Sequence, residues 1–75
     1  MTVFGDRLRQ LRRNSGMSQK DLASSIGVTE RAFRFYESGD REPTIEQLVK
    51  LADIFNVSLD YMTGRTNDPT PPKKD

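Results

Sequence analysis

Five short segments of this chain each open with a serine or threonine and close at a glycine or an asparagine. The opening residues are Thr2, Ser18, Thr29, Thr44 and Ser58, and the closing residues are Gly16, Gly27, Gly39, Asn56 and Gly64. A serine or threonine oxygen accepts a hydrogen bond from a free N–H at a helix start, and glycine or asparagine supplies the left-handed residue that ends one. No run of alternating β-branched residues indicates a strand. The sequence therefore predicts an all-α fold of five short helices.

The predicted helices each carry one apolar face. Their stripes are Phe4, Leu8 and Leu11; Leu22, Ala23 and Ile26; Ala32, Phe33 and Tyr36; and Leu48, Leu51, Ala52 and Phe55. Two starts have the spacing of a capping box, Ser18 with Asp21 and Thr44 with Gln47. A chain of 75 residues buries only about 60% of its unfolded surface, so these stripes must share a single core.

The joint between the second and third helices is the tightest in the chain. Only Val28 separates the stop at Gly27 from the cap at Thr29. So short a connection makes the two helices cross steeply instead of lying antiparallel, which is the geometry of a helix-turn-helix.

Composition limits the chemistry that this chain can perform. It contains no cysteine and no histidine, so disulfides and the usual soft metal ligands are absent, and no clustered carboxylates replace them. There is no glycine-rich phosphate loop either. We therefore predict no enzyme activity, no cofactor and no metal. Charges from Asp6 onward exclude a signal peptide or a membrane span at the start, and we expect a cytoplasmic protein.

The formal net charge of +1 conceals an uneven distribution. Residues 7–34 contain seven basic and two acidic residues, whereas residues 35–75 contain five basic and eight acidic ones. A basic N-terminal half favours a polyanionic partner, although arginines also solvate helix faces without any partner.

The segment "QKDLASSIGVTERAFRFYES", residues 19–38, resembles the helix-turn-helix of phage-repressor (Xre, Cro-like) transcriptional regulators. Ala23 stands at the helix contact, Gly27 in the turn, and Phe33 and Tyr36 anchor the third helix. The resemblance extends over roughly residues 3–64. It implies a compact five-helix, lambda-repressor-like DNA-binding domain at residues 1–64, followed by a flexible, proline-rich tail or linker at residues 65–75.

The third helix is expected to read DNA with the face opposite its core stripe. In a recognition helix that face lies in the major groove. Arg31 or Arg34 is then a candidate for a bidentate contact to guanine, and Phe35 for a contact to a thymine methyl group. The alternatives are solvation of the arginines, and burial of Phe35 under a loop or a partner protein.

Further contacts follow from matching positions in the family. Gln19 and Glu30 are expected to touch bases, although Glu30 is a departure from the neutral residue common there and alternatively only stabilises the helix start. The expected phosphate contacts are Arg12, Ser18, Lys20, Thr29, Ser38 and Arg41. Arg12 and Glu37 match a partly buried ion pair between the first and third helices. Asp40 and Glu42 are acidic where relatives often carry lysine, which weakens that backbone contact.

A module of this size reads few base pairs, so we expect a homodimer, weak without DNA, on an inverted-repeat operator. The expected dimer contacts are Val57, Leu59, Tyr61 and Met62, for which completion of the monomer core is the alternative. The leading hypothesis is a sequence-specific transcriptional regulator, most simply a repressor, with no small-molecule ligand and no membrane. The second is a protein-interaction module, of antitoxin or adaptor type, that uses the same fold.

Overall fold

The computed structural model of the chain describes residues 2–72, which form five α-helices and no β-strand. The helices are α1 (Val3–Asn14), α2 (Gln19–Ser25), α3 (Glu30–Ser38), α4 (Ile45–Phe55) and α5 (Leu59–Thr63). The all-α prediction is confirmed. None of these five helices is long and apolar enough to cross a membrane.

All five predicted caps form. Each side-chain oxygen accepts a hydrogen bond from the backbone N–H three residues later. At the start of α4 the capping box is complete, because Gln47 also accepts from the N–H of Thr44 at 2.9 Å. At the start of α2 only half of the predicted box forms, since Asp21 gives its N–H to Ser18 and its shorter side chain makes no return bond. Local sequence signals therefore place every helix start.

The core lies where the apolar faces of the five helices meet. Its fully buried apolar side chains are Leu8, Leu22, Phe33, Leu51 and Met62. Each side chain of this size contributes roughly 1.5–3 kcal/mol through removal of apolar surface from water. The remaining buried apolar residues are Ala23, Ile26, Tyr36, Ala52 and Val57. The core thus contains members of every predicted stripe.

The tight joint has the predicted form. Gly27 has φ +74°, a left-handed conformation that glycine adopts without a Cβ penalty. The N–H of Val28 folds back onto the carbonyl oxygen of Ala23 at 2.9 Å, and Thr29 then caps α3. Because Ala23 is small and 2% exposed, α2 packs closely against its neighbours. Helix α3 is therefore fixed by backbone bonds and by packing.

Helix α1 approaches α3 backbone to backbone at Gly5. A Cβ at this position would overlap the carbonyl oxygen of Glu37 and come within 3.0 Å of the carbonyl oxygen of Tyr36. Gly5 is buried inside a helix, where glycine is otherwise unfavourable by about 1 kcal/mol relative to alanine. The close approach explains why a glycine stands there.

The segment after α5, for which the sequence predicts a flexible tail from residue 65, makes hydrogen bonds to the domain. Arg7 donates hydrogen bonds to the carbonyl oxygens of Tyr61 and Thr66 and, at 2.7 Å, to the side-chain oxygen of Asn67. Its guanidinium also lies over the Tyr61 ring, 4.3 Å from the centroid. We call this arrangement the Arg7 clasp.

A second bond fixes the same segment farther along. The N–H of Ser58 donates to the carbonyl oxygen of Pro69 at 3.0 Å. Prolines prevent the segment from forming a helix, but they leave its carbonyl groups free to accept from α1 and from the start of α5. The end of the expected tail, residues 73–75, lies outside the described residues, and the domain boundary at residue 64 stays a prediction.

Candidate nucleic-acid interface

Helix α3 separates a buried face from an exposed one. Phe33, Tyr36 and Glu37 are buried, whereas Arg31 and Arg34 are exposed. Its first residue, Glu30, and its cap, Thr29, are also exposed. A helix turns 100° per residue, so these two sets occupy opposite sides, as the sequence predicted.

Phe35 lies between the two faces of α3 and is only half-buried. The guanidinium carbon of Arg41, in the loop after α3, is 4.9 Å from the centroid of the Phe35 ring. That of Arg31, one turn earlier on the helix, is 5.6 Å from it. Both distances fall within the range of a cation–π interaction. The predicted base contact Phe35 is therefore accompanied by two of the predicted arginines.

The basic side chains within residues 2–72 divide into two groups. Arg9, Arg12, Lys50 and Arg65 form ion pairs, and Arg7 is bound to carbonyl oxygens in the clasp. The other basic residues of the described chain have no ion pair with a carboxylate: Arg13, Lys20, Arg31, Arg34 and Arg41. All five lie between residues 13 and 41. The positive charge that is not neutralised internally is thus concentrated in the helix-turn-helix and its flanks.

A buried carboxylate connects the three helices that surround the exposed face. Glu37 of α3 is 1% exposed. Its Oε2 accepts from Arg12 Nε at 2.7 Å, and its Oε1 accepts from Arg12 Nη2 at 3.3 Å and from Gln19 Nε2 at 2.9 Å. Arg9 Nε lies 3.7 Å from Oε1. The structure therefore contains the ion pair that the resemblance implied.

The Glu37 network also determines which hydrogen-bonding atoms of Gln19 stay free. Gln19 is the first residue of α2, as expected, but sequence reasoning missed its bond to Glu37. The side-chain carbonyl of Gln19 makes no hydrogen bond within residues 2–72, so it keeps an acceptor. Arg12 is more restricted, because its side chain is 15% exposed and its Nη1 points toward the carbonyl oxygen of Met17 at 3.4 Å.

The hydroxyl groups at the predicted phosphate positions differ in what they have left to donate. Ser18 and Thr29 use their oxygens to accept from the backbone, so each hydroxyl proton stays available. Ser38 instead donates to the carbonyl oxygen of Phe35 at 3.1 Å and to Asp40 Oδ2 at 2.8 Å. Its single proton is thus used inside the protein, which argues against the predicted phosphate contact of Ser38.

Two of the four predicted dimer contacts belong to the core. Met62 is completely buried and Val57 is 8% exposed, so core completion, the alternative reading, applies to both. Leu59 is 41% exposed, and Tyr61 is half-buried with the Arg7 guanidinium over its ring. The sequence did not separate the buried Val57 and Met62 from the more exposed Leu59 and Tyr61, because burial in this region depends on how α5 docks on the other helices.

No group of three or more acidic side chains within residues 2–72 is placed to hold a metal ion. The described part of the chain therefore offers positive charge, hydrogen-bond donors and one aromatic ring at this surface. Such an arrangement can bind a negatively charged polymer that also presents nucleobases.

A family model described as "Helix-turn-helix" matches residues 8–62. The chain belongs to this helix-turn-helix family. The resemblance to phage-repressor regulators is confirmed. Among curated proteins, the uncharacterized HTH-type transcriptional regulator YobD of Bacillus subtilis is 38% identical over 69 residues, which cover 92% of this chain and 62% of YobD. The cryptic phage CTXphi transcriptional repressor RstR of Vibrio cholerae is 38% identical over 60 residues, 80% of this chain and 54% of RstR.

Solved structures confirm the repressor-like fold. The P22 c2 repressor in complex with synthetic operator 9T superposes with a TM-score of 0.76 at 29% identity, over 83% of this chain and 94% of that one. The N-terminal DNA-binding domain of SinR from Bacillus subtilis gives 0.70 at 28% identity, over 79% and 87%. The chain spans less than two thirds of the length of the curated relatives it matches.

Proposed function

We propose that this chain binds double-stranded DNA in a sequence-specific way and acts as a transcriptional repressor. The observation that carries the proposal is the set of five exposed basic residues that form no ion pair within residues 2–72, all of them between residues 13 and 41. DNA phosphates neutralise such residues and release counterions, which supplies a large share of the affinity. Relatives named as repressors share this fold. A repressor needs only to occupy its operator, so this role requires no catalysis.

In this proposal the exposed face of α3 enters the major groove. Arg31 and Arg34 donate to guanine O6 and N7, each good bidentate pair being worth about 1–3 kcal/mol of discrimination. Phe35 contacts a thymine methyl group, and Glu30 accepts from cytosine N4. The free side-chain carbonyl of Gln19 accepts from a base at the edge of the site. The exposed positions of Glu30, Arg31 and Arg34 support this assignment.

Phosphate contacts come from the flanks of the groove-facing helix. Lys20 and Arg41 are exposed cations, and Ser18 and Thr29 keep a hydroxyl proton to donate. Such contacts fix register on the duplex without reading sequence. Arg12 touches a phosphate only through the small exposed part of its side chain, and its main role is to hold Glu37. With DNA as its partner, the protein acts in the bacterial cytoplasm at the nucleoid.

We propose that two copies bind an inverted repeat, with half-sites about 34–36 Å apart. Leu59 and Val49 line the same surface groove, and Ile45 precedes Val49 by one helical turn. Ile45 is 81% exposed, the largest value among the exposed large apolar residues. This stripe replaces the core residues Val57 and Met62 as the expected dimer contact. Its small area suits a dimer that is weak in solution and tightens on DNA.

The dimer is tested with two substitutions of equal exposure. Leu59→Asp places a charge in the groove, whereas Ile54→Asp does so at a residue that is 40% exposed and does not line it. We expect Leu59→Asp alone to convert two-copy binding of an inverted repeat to one-copy binding, measured by sedimentation of the complex. Equal effects of both variants would contradict the assignment.

The DNA-binding proposal is tested by in-vitro selection from a random duplex pool. We expect the wild-type chain to enrich an inverted repeat, and Arg31→Ala/Arg34→Ala to lose it. Lys50→Ala/Arg65→Ala is the matched control, because it removes the same charge from residues that are ion-paired outside the helix-turn-helix. No enrichment by the wild type, or enrichment that the first variant retains, would refute readout through α3.

The half-exposed ring of Phe35 also favours the second candidate, a protein-interaction module centred on that residue. Salt dependence separates the two functions. DNA binding loses affinity with a slope of about −0.9 in log K against log salt for each phosphate contacted. An apolar protein contact through Phe35 has no such slope.

A further inference from the structure

Two arginines converge on the ring of Phe35 from different parts of the chain. Arg31 precedes Phe35 by four residues on α3, a spacing that puts both side chains on one helix face. Arg41 comes from the loop after α3, and its backbone N–H donates to the carbonyl oxygen of Phe35 at 3.3 Å. Both guanidinium carbons lie within 6 Å of the ring centroid. The loop and the helix are thus joined at one residue by a backbone bond and by an aromatic ring.

Neither guanidinium is neutralised by the carboxylates around it. Asp40 and Glu42 flank Arg41 in sequence, yet Asp40 accepts from the Ser38 hydroxyl and neither forms an ion pair with Arg41. Two like charges near one ring repel each other. That repulsion is relieved when an anion approaches both guanidinium groups.

We propose that Phe35 is a shared stacking platform that holds Arg31 toward the base edges and Arg41 toward the phosphate backbone. A guanidinium stacks through its face and donates through its edge, so one group can rest on the ring and contact DNA at the same time. Base readout and backbone contact are then coupled through the ring. This inference rests on the proposed DNA-binding function, and it makes Phe35 a positioning residue in addition to a groove contact.

The platform differs from a simple thymine contact in what Phe35→Leu does. Leucine still offers an apolar surface to a methyl group, but it has no aromatic face. If Phe35 only touched thymine, Phe35→Leu would change discrimination at the thymine position and leave the other positions unaffected. If Phe35 is a platform, the variant also weakens discrimination at the guanine read by Arg31, and Phe35→Tyr restores it.

The test is a double-mutant cycle on the duplex enriched by the wild-type chain. Kd is measured by fluorescence anisotropy at one salt concentration for wild type, Phe35→Leu, Arg41→Ala and the double variant. A cation–π contact at an exposed site is worth about 2- to 5-fold in an equilibrium, so Phe35→Leu, which removes two contacts that hold the arginines in place before DNA binds, is expected to weaken binding by up to about 25-fold. The double variant is expected to bind more tightly than the product of the single effects predicts.

Circular dichroism of each variant checks the fold. Should Phe35→Leu fail to fold, Arg41→Lys replaces it, because Arg41 is exposed and lysine keeps the charge while losing the planar face. Arg41→Lys is expected to weaken binding by about 2- to 5-fold both with Phe35 and in the Phe35→Tyr background, because tyrosine keeps the aromatic face, and unchanged binding in both backgrounds would overturn the platform.

A second measurement needs no DNA. The Hε protons of Arg31 and Arg41 are expected to show upfield ring-current shifts in the NMR spectrum of the free protein, and Phe35→Leu is expected to abolish them. Absence of these shifts would overturn the stacking. Strictly multiplicative effects in the cycle would overturn the coupling and leave DNA binding intact. Failure of the wild-type chain to bind any duplex would overturn the platform together with the proposed function.

Discussion

The buried ion pair of Arg12 and Glu37 permits a quantitative prediction for stability. A domain of 75 residues has a free energy of unfolding of roughly 4–11 kcal/mol. Removing one partner of a buried pair costs about 3–5 kcal/mol, because the other charge stays buried without its counterion. In Arg12→Met, Glu37 retains Gln19 at 2.9 Å and Arg9 at 3.7 Å, so we expect the lower end, about 3 kcal/mol.

The reciprocal substitution is expected to cost less. In Glu37→Met, Arg12 is 15% exposed and can reach water, so we expect a loss of about 2 kcal/mol. The double variant Arg12→Met/Glu37→Met leaves no buried charge without a partner, because Arg9, which also loses Glu37, has a side chain that is 30% exposed. It is therefore expected to be no less stable than Arg12→Met alone. Independent effects would instead add to about 5 kcal/mol.

The assay is urea unfolding followed by circular dichroism, with free energies from linear extrapolation. The exposed pair Lys50–Glu46 is the control, with the N–O distance 3.7 Å, and Lys50→Met is expected to change stability by about 0.5 kcal/mol or less. Losses below 1 kcal/mol for both single variants, or additive losses in the double variant, would refute the assignment of a buried, coupled pair.

Three further predictions concern other parts of the domain. Gly5→Ala is expected to lower the free energy of unfolding by about 2–3 kcal/mol, because the new Cβ meets the backbone of α3. Helix propensity alone predicts an increase of about 1 kcal/mol instead, and urea unfolding shows whether the free energy falls or rises. Arg7→Ala is expected to cost about 2 kcal/mol and to speed amide hydrogen exchange at Ser58, because the clasp that holds its acceptor segment is lost; unchanged exchange would contradict this. The pKa of the Asp68 carboxyl lies below its usual 3.8, chiefly because the Thr70 hydroxyl donates to it and secondly because the Thr70 N–H does. The contribution of the ionised carboxyl to the free energy of unfolding is therefore complete above pH 3.8, and it is lost as the pH falls through the lowered pKa. Carboxyl NMR titration checks this, with Thr70→Val expected to shift the pKa upward.

The helices could be predicted from sequence because their signals are local. Each cap and each stop acts within a few residues of its own position, and apolar spacing identifies the buried side of each helix. The exposed side of α3, with Arg31 and Arg34, followed from the same periodicity. The Arg12–Glu37 pair spans 25 residues, and only the resemblance to a known family made it predictable.

The remaining features depend on how distant segments meet. Gly5 looks like an unfavourable helix residue until α3 is placed against it. Arg7 reaches acceptors that are 54 to 60 residues away, and no local pattern marks them. The partition of α5 into the core residue Met62 and the exposed Leu59 likewise required the docked structure.

The Arg7 clasp has a mechanical consequence for any longer polypeptide that continues from this domain. If the eight residues from 65 to 72 were a flexible linker, their root-mean-square end-to-end distance from Gly64 would be about 16 Å. With Thr66 and Asn67 bound to Arg7, and Pro69 bound to Ser58, most of that slack is removed. The first residues whose backbone is free to rotate therefore lie beyond residue 69 and not at the end of α5. A polypeptide attached after residue 72 would therefore leave the domain at a defined position and in a defined direction beside α5. Arg7→Ala would increase the number of unconstrained linker residues without changing the linker sequence.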